Sequence, residues 1–109
     1  MRIHCALFSA ALFSPLPAAA LCVGNDTEER HYFTVEDAET GARIGASLEP
    51  GEELCLPNSQ KGVVAAFEAP SSIEGCSRLA GAEDRLLAFA RFDSCTWASH
   101  SDQSEAAGD

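Results

Sequence analysis

Of five cysteines, Cys5 falls in the apolar N-terminal leader, and the four that remain, Cys22, Cys55, Cys76 and Cys95, constrain this chain more than any other feature. They are spread along a polypeptide of 109 residues with no Cys-x-x-Cys pair among them. That spacing gives no support to a thioredoxin-type redox motif, whose two cysteines sit in one turn. It gives none to a four-cysteine zinc site either, because such sites are built from close pairs. Two structural disulfides are the reading that fits, and they suit a domain whose core alone is marginal. Four cysteines allow three pairings, and sequence by itself does not choose among them. Nearness favours Cys76–Cys95, which flank one strand-like segment, and Cys22–Cys55, where Cys55 leaves a corner that faces back to the first strand.

Crosslinks of this kind belong to oxidising compartments, and the N-terminus agrees. Met1-Arg2 is a short positive start, residues 3–16 are mostly apolar, and Ala18-Ala19-Ala20 is a small-residue cleavage signature. Residues 1–20 are therefore expected to be a signal peptide, cut between Ala20 and Leu21, in a periplasmic or secreted protein. The alternatives are a buried N-terminal helix and a lipoprotein anchored through Cys22. Leu21 stands where a lipidated cysteine is normally preceded by a small residue. The apolar run is interrupted by Pro15 and Pro17 and is too short to span a bilayer. Removal of the leader leaves about 90 residues, enough for one small domain over 21–100. Residues 101–109 are polar and acidic and read as a disordered tail.

Arg2 leaves with the leader while every acidic residue stays, so six basic side chains face seventeen acidic ones. A balance of that sign argues against nucleic acid, whose phosphates need basic partners, and disfavours anionic membrane surfaces. Beyond the leader no run is apolar enough for a membrane span.

Alternating apolar and polar residues then describe short strands separated by turns. Phe33 and Val35 point inward in 30–36, and Ile44, Ala46 and Leu48 in 42–48, so these two form a hairpin around Asp37 to Gly41. Pro50-Gly51 is a tight turn into a short strand, 53–56. Residues 62–69 are apolar on both faces, as a central strand would be. Leu21-Cys22-Val23 opens the fold, Gly24 to Thr27 reads as a turn, and 95–98 closes it. The segment 73–79 shows no clean period and reads as loop with at most a helical turn. The expectation is an all-β, disulfide-stapled sandwich of about seven short strands. Residues 85–92 read as a buried strand, Leu87, Phe89 and Arg91 on one face and Leu86, Ala88, Ala90 and Phe92 on the other. The alternative is an α+β fold with a helix near 83–92, where Leu86, Leu87, Phe89 and Ala90 also fit helical spacing.

The run from Asn25-Asp26-Thr27 through Phe33 and Val35 to Leu48-Glu49-Pro50-Gly51-Glu52 resembles the opening hairpins of exported bacterial sandwich domains. Ile73-Glu74-Gly75-Cys76-Ser77-Arg78-Leu79 and Phe92-Asp93-Ser94-Cys95-Thr96-Trp97 resemble small, uncharacterised disulfide-bearing periplasmic proteins of proteobacteria. The resemblance implies a compartment and a fold, and it carries no catalytic residues.

Candidate chemistry is sparse. His31 and His100 have no partner at interpretable spacing, and no Gly-x-Ser-x-Gly elbow is present. His31 is expected to be a half-exposed strand residue. The carboxylate pairs Glu28-Glu29, Glu52-Glu53 and Glu83-Asp84 lie beside turns and read as solvated charge. Asn25-Asp26-Thr27 is a glycosylation sequon, but a plain Asx turn is the simpler reading. No enzyme activity, metal or cofactor is expected. Two residues are candidates for binding. Lys61, the single lysine, sits in the polar loop 57–62 next to Cys55. Trp97 shares a strand face with Cys95, where it either packs on a disulfide or stacks on a ligand. The function expected is that of an exported, non-catalytic binding or accessory protein with an unidentified protein partner. The alternative is an inhibitor of an exported hydrolase acting through the 57–62 loop.

Overall fold

A computed structural model describes residues 19–91 and 93–99. Residues 1–18, Phe92, His100 and 101–109 lie outside the described residues, and with them most of the expected leader, the second histidine and the tail. Eight strands follow in order: β1 (Ala20–Asn25), β2 (His31–Asp37), β3 (Arg43–Leu48), β4 (Glu53–Pro57), β5 (Gly62–Phe67), β6 (Gly75–Ala80), β7 (Glu83–Ala88) and β8 (Thr96–Trp97). They make two four-stranded sheets, a front sheet ordered β4-β1-β7-β8 and a back sheet ordered β3-β2-β5-β6. The fold is the expected all-β sandwich with one strand more than the sequence indicated. Among the described residues no helix is long and apolar enough to cross a membrane.

Period-two alternation explains the core. Leu21 and Val23 of β1, Phe33 and Val35 of β2, Val64 of β5 and Leu86 of β7 are all completely buried between the sheets. Each is worth about 1.5–3 kcal/mol relative to exposure. The β2–β3 hairpin forms in the expected register, Phe33 opposite Ala46 and Val35 opposite Ile44. β5 is central, flanked by β2 and β6.

Two readings are corrected, and one alternative is ruled out. The segment at 73–79 is not loop: Gly75–Ala80 is β6, directing Cys76 and Ala80 inward and leaving Leu79 78% exposed. The helix near 83–92 does not form, because Glu83–Ala88 pairs with β1 and β8 as β7. His31 is buried rather than half-exposed, its ring stacked on Phe89 with centroids 4.7 Å apart.

The Pro50-Gly51 corner has the backbone of a two-bend turn, Gly51 at φ +90° and the Glu52 amide donating to the Glu49 carbonyl at 3.0 Å. It joins strands of different sheets, carrying the chain from the edge of the back sheet to the edge of the front one. Asn25, wholly buried at the end of β1, holds this corner in place. Its amide nitrogen donates to the carbonyls of Leu48 and Glu29, both at 2.9 Å. Its amide oxygen accepts from the Thr27 backbone N–H and hydroxyl, and its own backbone bonds to Gly51 and Glu52. With both Nδ2 hydrogens used inside the fold, the sequon is an Asx turn that also clamps two loops.

Both expected disulfides are present, Cys22–Cys55 and Cys76–Cys95. They occupy opposite environments. Cys76 and Cys95 are buried in the core, whereas Cys55 is exposed and Cys22 half-buried on the outer face of the front sheet.

Candidate binding loop at the Lys61 end

Three connections meet at one end of the sandwich: the β4–β5 loop at 58–61, the β2–β3 turn at 38–42 and the β6–β7 turn at Gly81-Ala82. The first is braced at Asn58, Ser59 and Lys61. The Asn58 amide donates to the Ala19 carbonyl at 2.7 Å, with Asn58 in the left-handed region at φ +62°. Asparagine tolerates that conformation better than most residues. The Ser59 hydroxyl, almost entirely buried, donates to Asp37 Oδ1 at 2.5 Å. The Lys61 carbonyl accepts from the Ala38 amide at 3.0 Å.

Asp37 is the hub of this bracing. Besides the Ser59 bond, its Oδ2 accepts from the amides of Glu39 and Thr40 and from the Thr40 hydroxyl. The Ser59 hydroxyl first, and then Thr40, hold its carboxyl below the ordinary carboxylate range, against burial acting the other way. A carboxylate so occupied is a structural clasp. It ties the β4–β5 loop to the β2–β3 turn.

Lys61 lies between two hollows at this end. A cleft of about 950 Å³ is bordered by Ala20, Asp37, Asn58, Ser59, Lys61 and Ala82 among others. An apolar hollow of about 340 Å³ runs along Lys61, Gly62, Ala80 and the exposed Leu79. The lysine is exposed and makes no ion pair among the described residues. The braced loop therefore presents one ammonium beside apolar surface.

The other candidate does not share this end. Trp97 is 3% exposed, pairs across from Leu86 and belongs to the same core cluster as Cys76 and Cys95. Its ring has no face to offer a ligand, so of its two readings the packed one matches its position. His31 is likewise remote from Lys61, and its Nδ1 is buried without a hydrogen bond among the described residues.

Sequence reading missed a second polar cluster, on the outer face of the front sheet. The Arg85 guanidinium meets Asp26 at 2.8 Å, Glu83 at 3.2 Å and Glu53 at 3.4 Å. Hydrogen bonding to Arg85 holds Asp26 below its ordinary pKa, and Asp26 in turn raises that of Arg85. Burial, reinforced by the neighbouring Glu83, pushes Glu53 up. Glu53 and Glu83, one member from each of two acidic pairs that looked like separate turn charges, thus converge with Asp26 once β4, β1 and β7 lie side by side. Nothing in their sequence spacing signals this.

No protein-family model, no curated protein and no solved structure matches this chain.

Proposed function

We propose that this is an exported, non-catalytic binding or accessory protein that engages a protein partner through the loop carrying Lys61. The observation behind this reading is the bracing of the 58–61 loop by Asp37, which holds Ser59, and by the Ala38 amide, which holds Lys61, both in the part of the chain that remains after the expected cleavage at Ala20. A loop already fixed in the free protein loses little entropy on docking. Two intramolecular disulfides fit an oxidising compartment, in line with the export expected from residues 1–20.

The same bracing supports inhibition of an exported hydrolase as the narrower form of the proposal. A rigid loop bearing one basic side chain suits a cleft with an acidic specificity pocket. The test is capture of partners from periplasmic or culture extract on the immobilised protein, followed by affinity measurement with Lys61→Glu. A loss of more than about tenfold, near 1.4 kcal/mol, is expected. Unchanged affinity for the captured partner would remove Lys61 from the interface. Adding the protein to a captured hydrolase separates inhibition, which lowers turnover, from simple binding, which leaves it intact.

A further inference from the structure

The strands β1 and β4 run antiparallel with Cys22 directly opposite Cys55, and Glu53 opposite Gly24 further along the same ladder. The Cys22 amide donates to Ala82 on the far side, so Cys22 and Cys55 form a pair without mutual backbone bonds, the kind in which side chains approach most closely. Their Cα atoms are 4.0 Å apart. Glu53 precedes Cys55 by two residues and projects from the same face. Both sulfurs and a Glu53 carboxylate oxygen lie within 4.8 Å of one another.

We propose that Cys22, Cys55 and Glu53 are a masked site for a thiophilic divalent cation, opened when this disulfide is reduced. Two thiolates and a carboxylate are a donor set for Zn²⁺ or Cd²⁺, with water as fourth ligand, and a poor one for Ca²⁺ or Mg²⁺. Around zinc, with Zn–S near 2.3 Å, tetrahedral ligands stand about 3.8 Å apart. The three side chains are already gathered on that scale.

Access is selective. Cys55 is solvent-exposed, while Cys76 and Cys95 are sealed in the core at 1% and 7% exposure. A thiolate of an external dithiol attacks Cys55 Sγ, and Cys22 leaves as a thiolate. The second thiol of the reagent then attacks the mixed disulfide and releases Cys55. The reagent ends as a cyclic disulfide, oxidised by two electrons, and the protein gains two thiols. Cation binding displaces their protons. The strands have means to stay together without the bond: the register from Leu21–Leu56 to Gly24–Glu53, the buried Leu21, Val23 and Leu56, and the Asn25 clamp do not depend on it.

Charge favours a cation here. One guanidinium faces three carboxylates, an excess of negative charge before either thiolate is counted. Arg85 lies across Gly24, where any Cβ would collide with its guanidinium, and that is how it reaches Glu53 on the far strand. Glu53 makes the longest of its three contacts, so it can turn toward a metal while Asp26 and Glu83 retain the arginine.

The test treats the folded, full-length protein with a mild dithiol, maps free thiols by alkylation and mass spectrometry, and titrates Cd²⁺ anaerobically. The expected result is alkylation at Cys22 and Cys55 with Cys76 and Cys95 still joined, an intact near-ultraviolet Trp97 signal, and one Cd²⁺ bound with a thiolate charge-transfer band. Glu53→Gln in the reduced protein should weaken Cd²⁺ by about tenfold or more, and Cys22→Ser/Cys55→Ser should abolish the band. Reduction of Cys76–Cys95 first, loss of the Trp97 signal on reduction, or the absence of stoichiometric Cd²⁺ would each overturn the proposal. Unchanged affinity in Glu53→Gln would overturn the three-ligand site.

Discussion

Replacing Asn25 with alanine tests how the two sheets are joined. The side chain makes four hydrogen bonds, of which the one to the Leu48 carbonyl is fully buried and the others partly exposed. Removing the amide breaks that bond in a site closed to water, at a cost of about 1–3 kcal/mol. The remaining bonds can be partly replaced by water, and together lose about 1 kcal/mol. The expected total is about 3 kcal/mol, a fall in Tm of roughly 12–24 °C for a domain of this size. Urea unfolding with both disulfides intact reads it as a lower midpoint at constant m-value. Thr27→Ala is the informative partner, since it erases the same sequon but leaves both amide-to-carbonyl bonds in place. It should cost about 1 kcal/mol. Asn25→Asp should be at least as damaging as alanine, because it turns lone pairs toward two carbonyl oxygens. An Asn25→Ala protein within about 0.5 kcal/mol of wild type, or equal to Thr27→Ala, would show that the clamp contributes nothing special.

Two other buried carboxylates make testable contributions. Asp84, 3% exposed, accepts from the Ser99 hydroxyl and amide and pairs with the partly exposed Arg78 of the opposite sheet at 3.4 Å; Asp84→Ala should cost about 2 kcal/mol by removing the charged acceptor of these bonds, and a urea midpoint close to wild type would contradict this. Asp37 is ionised and bonded in the fold with its pKa depressed, so its contribution is complete above the ordinary aspartate value of 3.8 and is lost as pH falls through the lower folded value. Thermal unfolding across that acidic range should fall more steeply for wild type than for Asp37→Asn, and parallel curves would rule the clasp out as a source of acid sensitivity.

Much of the sandwich was legible because its strands obey simple alternation. Phe33 and Val35, and opposite them Ala46 and Ile44, pointed where a period of two requires. β6 was hidden for the same reason inverted: its inward positions are Cys76, Arg78 and Ala80, and its large aliphatic, Leu79, faces water. In β7 a buried Asp84 and an exposed Leu87 blurred the period and let a helix compete. The disulfides followed from nearness, and the register of β1 on β4 gives the physical reason for the first. The Lys61 loop could be picked out by its lysine and its place after Cys55. Its bracing could not, since the Asp37–Ser59 bond joins the end of β2 to a loop distant in sequence. Nor could the gathering of Glu53, Glu83 and Asp26 around Arg85, which depends on β1 lying beside β7.

That parallel pairing of β1 with β7 also governs the order in which the molecule can assemble. The back sheet draws on β2, β3, β5 and β6, with two hairpin contacts between chain neighbours, and can begin from local encounters. The front sheet has β1 at its interior and needs as partner β7, a strand distant from it in sequence. Closing so long a loop is slow. Until it closes, Leu21 and Val23 have only β4 beside them and half of their cover is missing. Folding therefore passes through states in which β1 is an apolar strand paired on one side only, and the arrival of Glu83–Ala88 decides when that exposure ends.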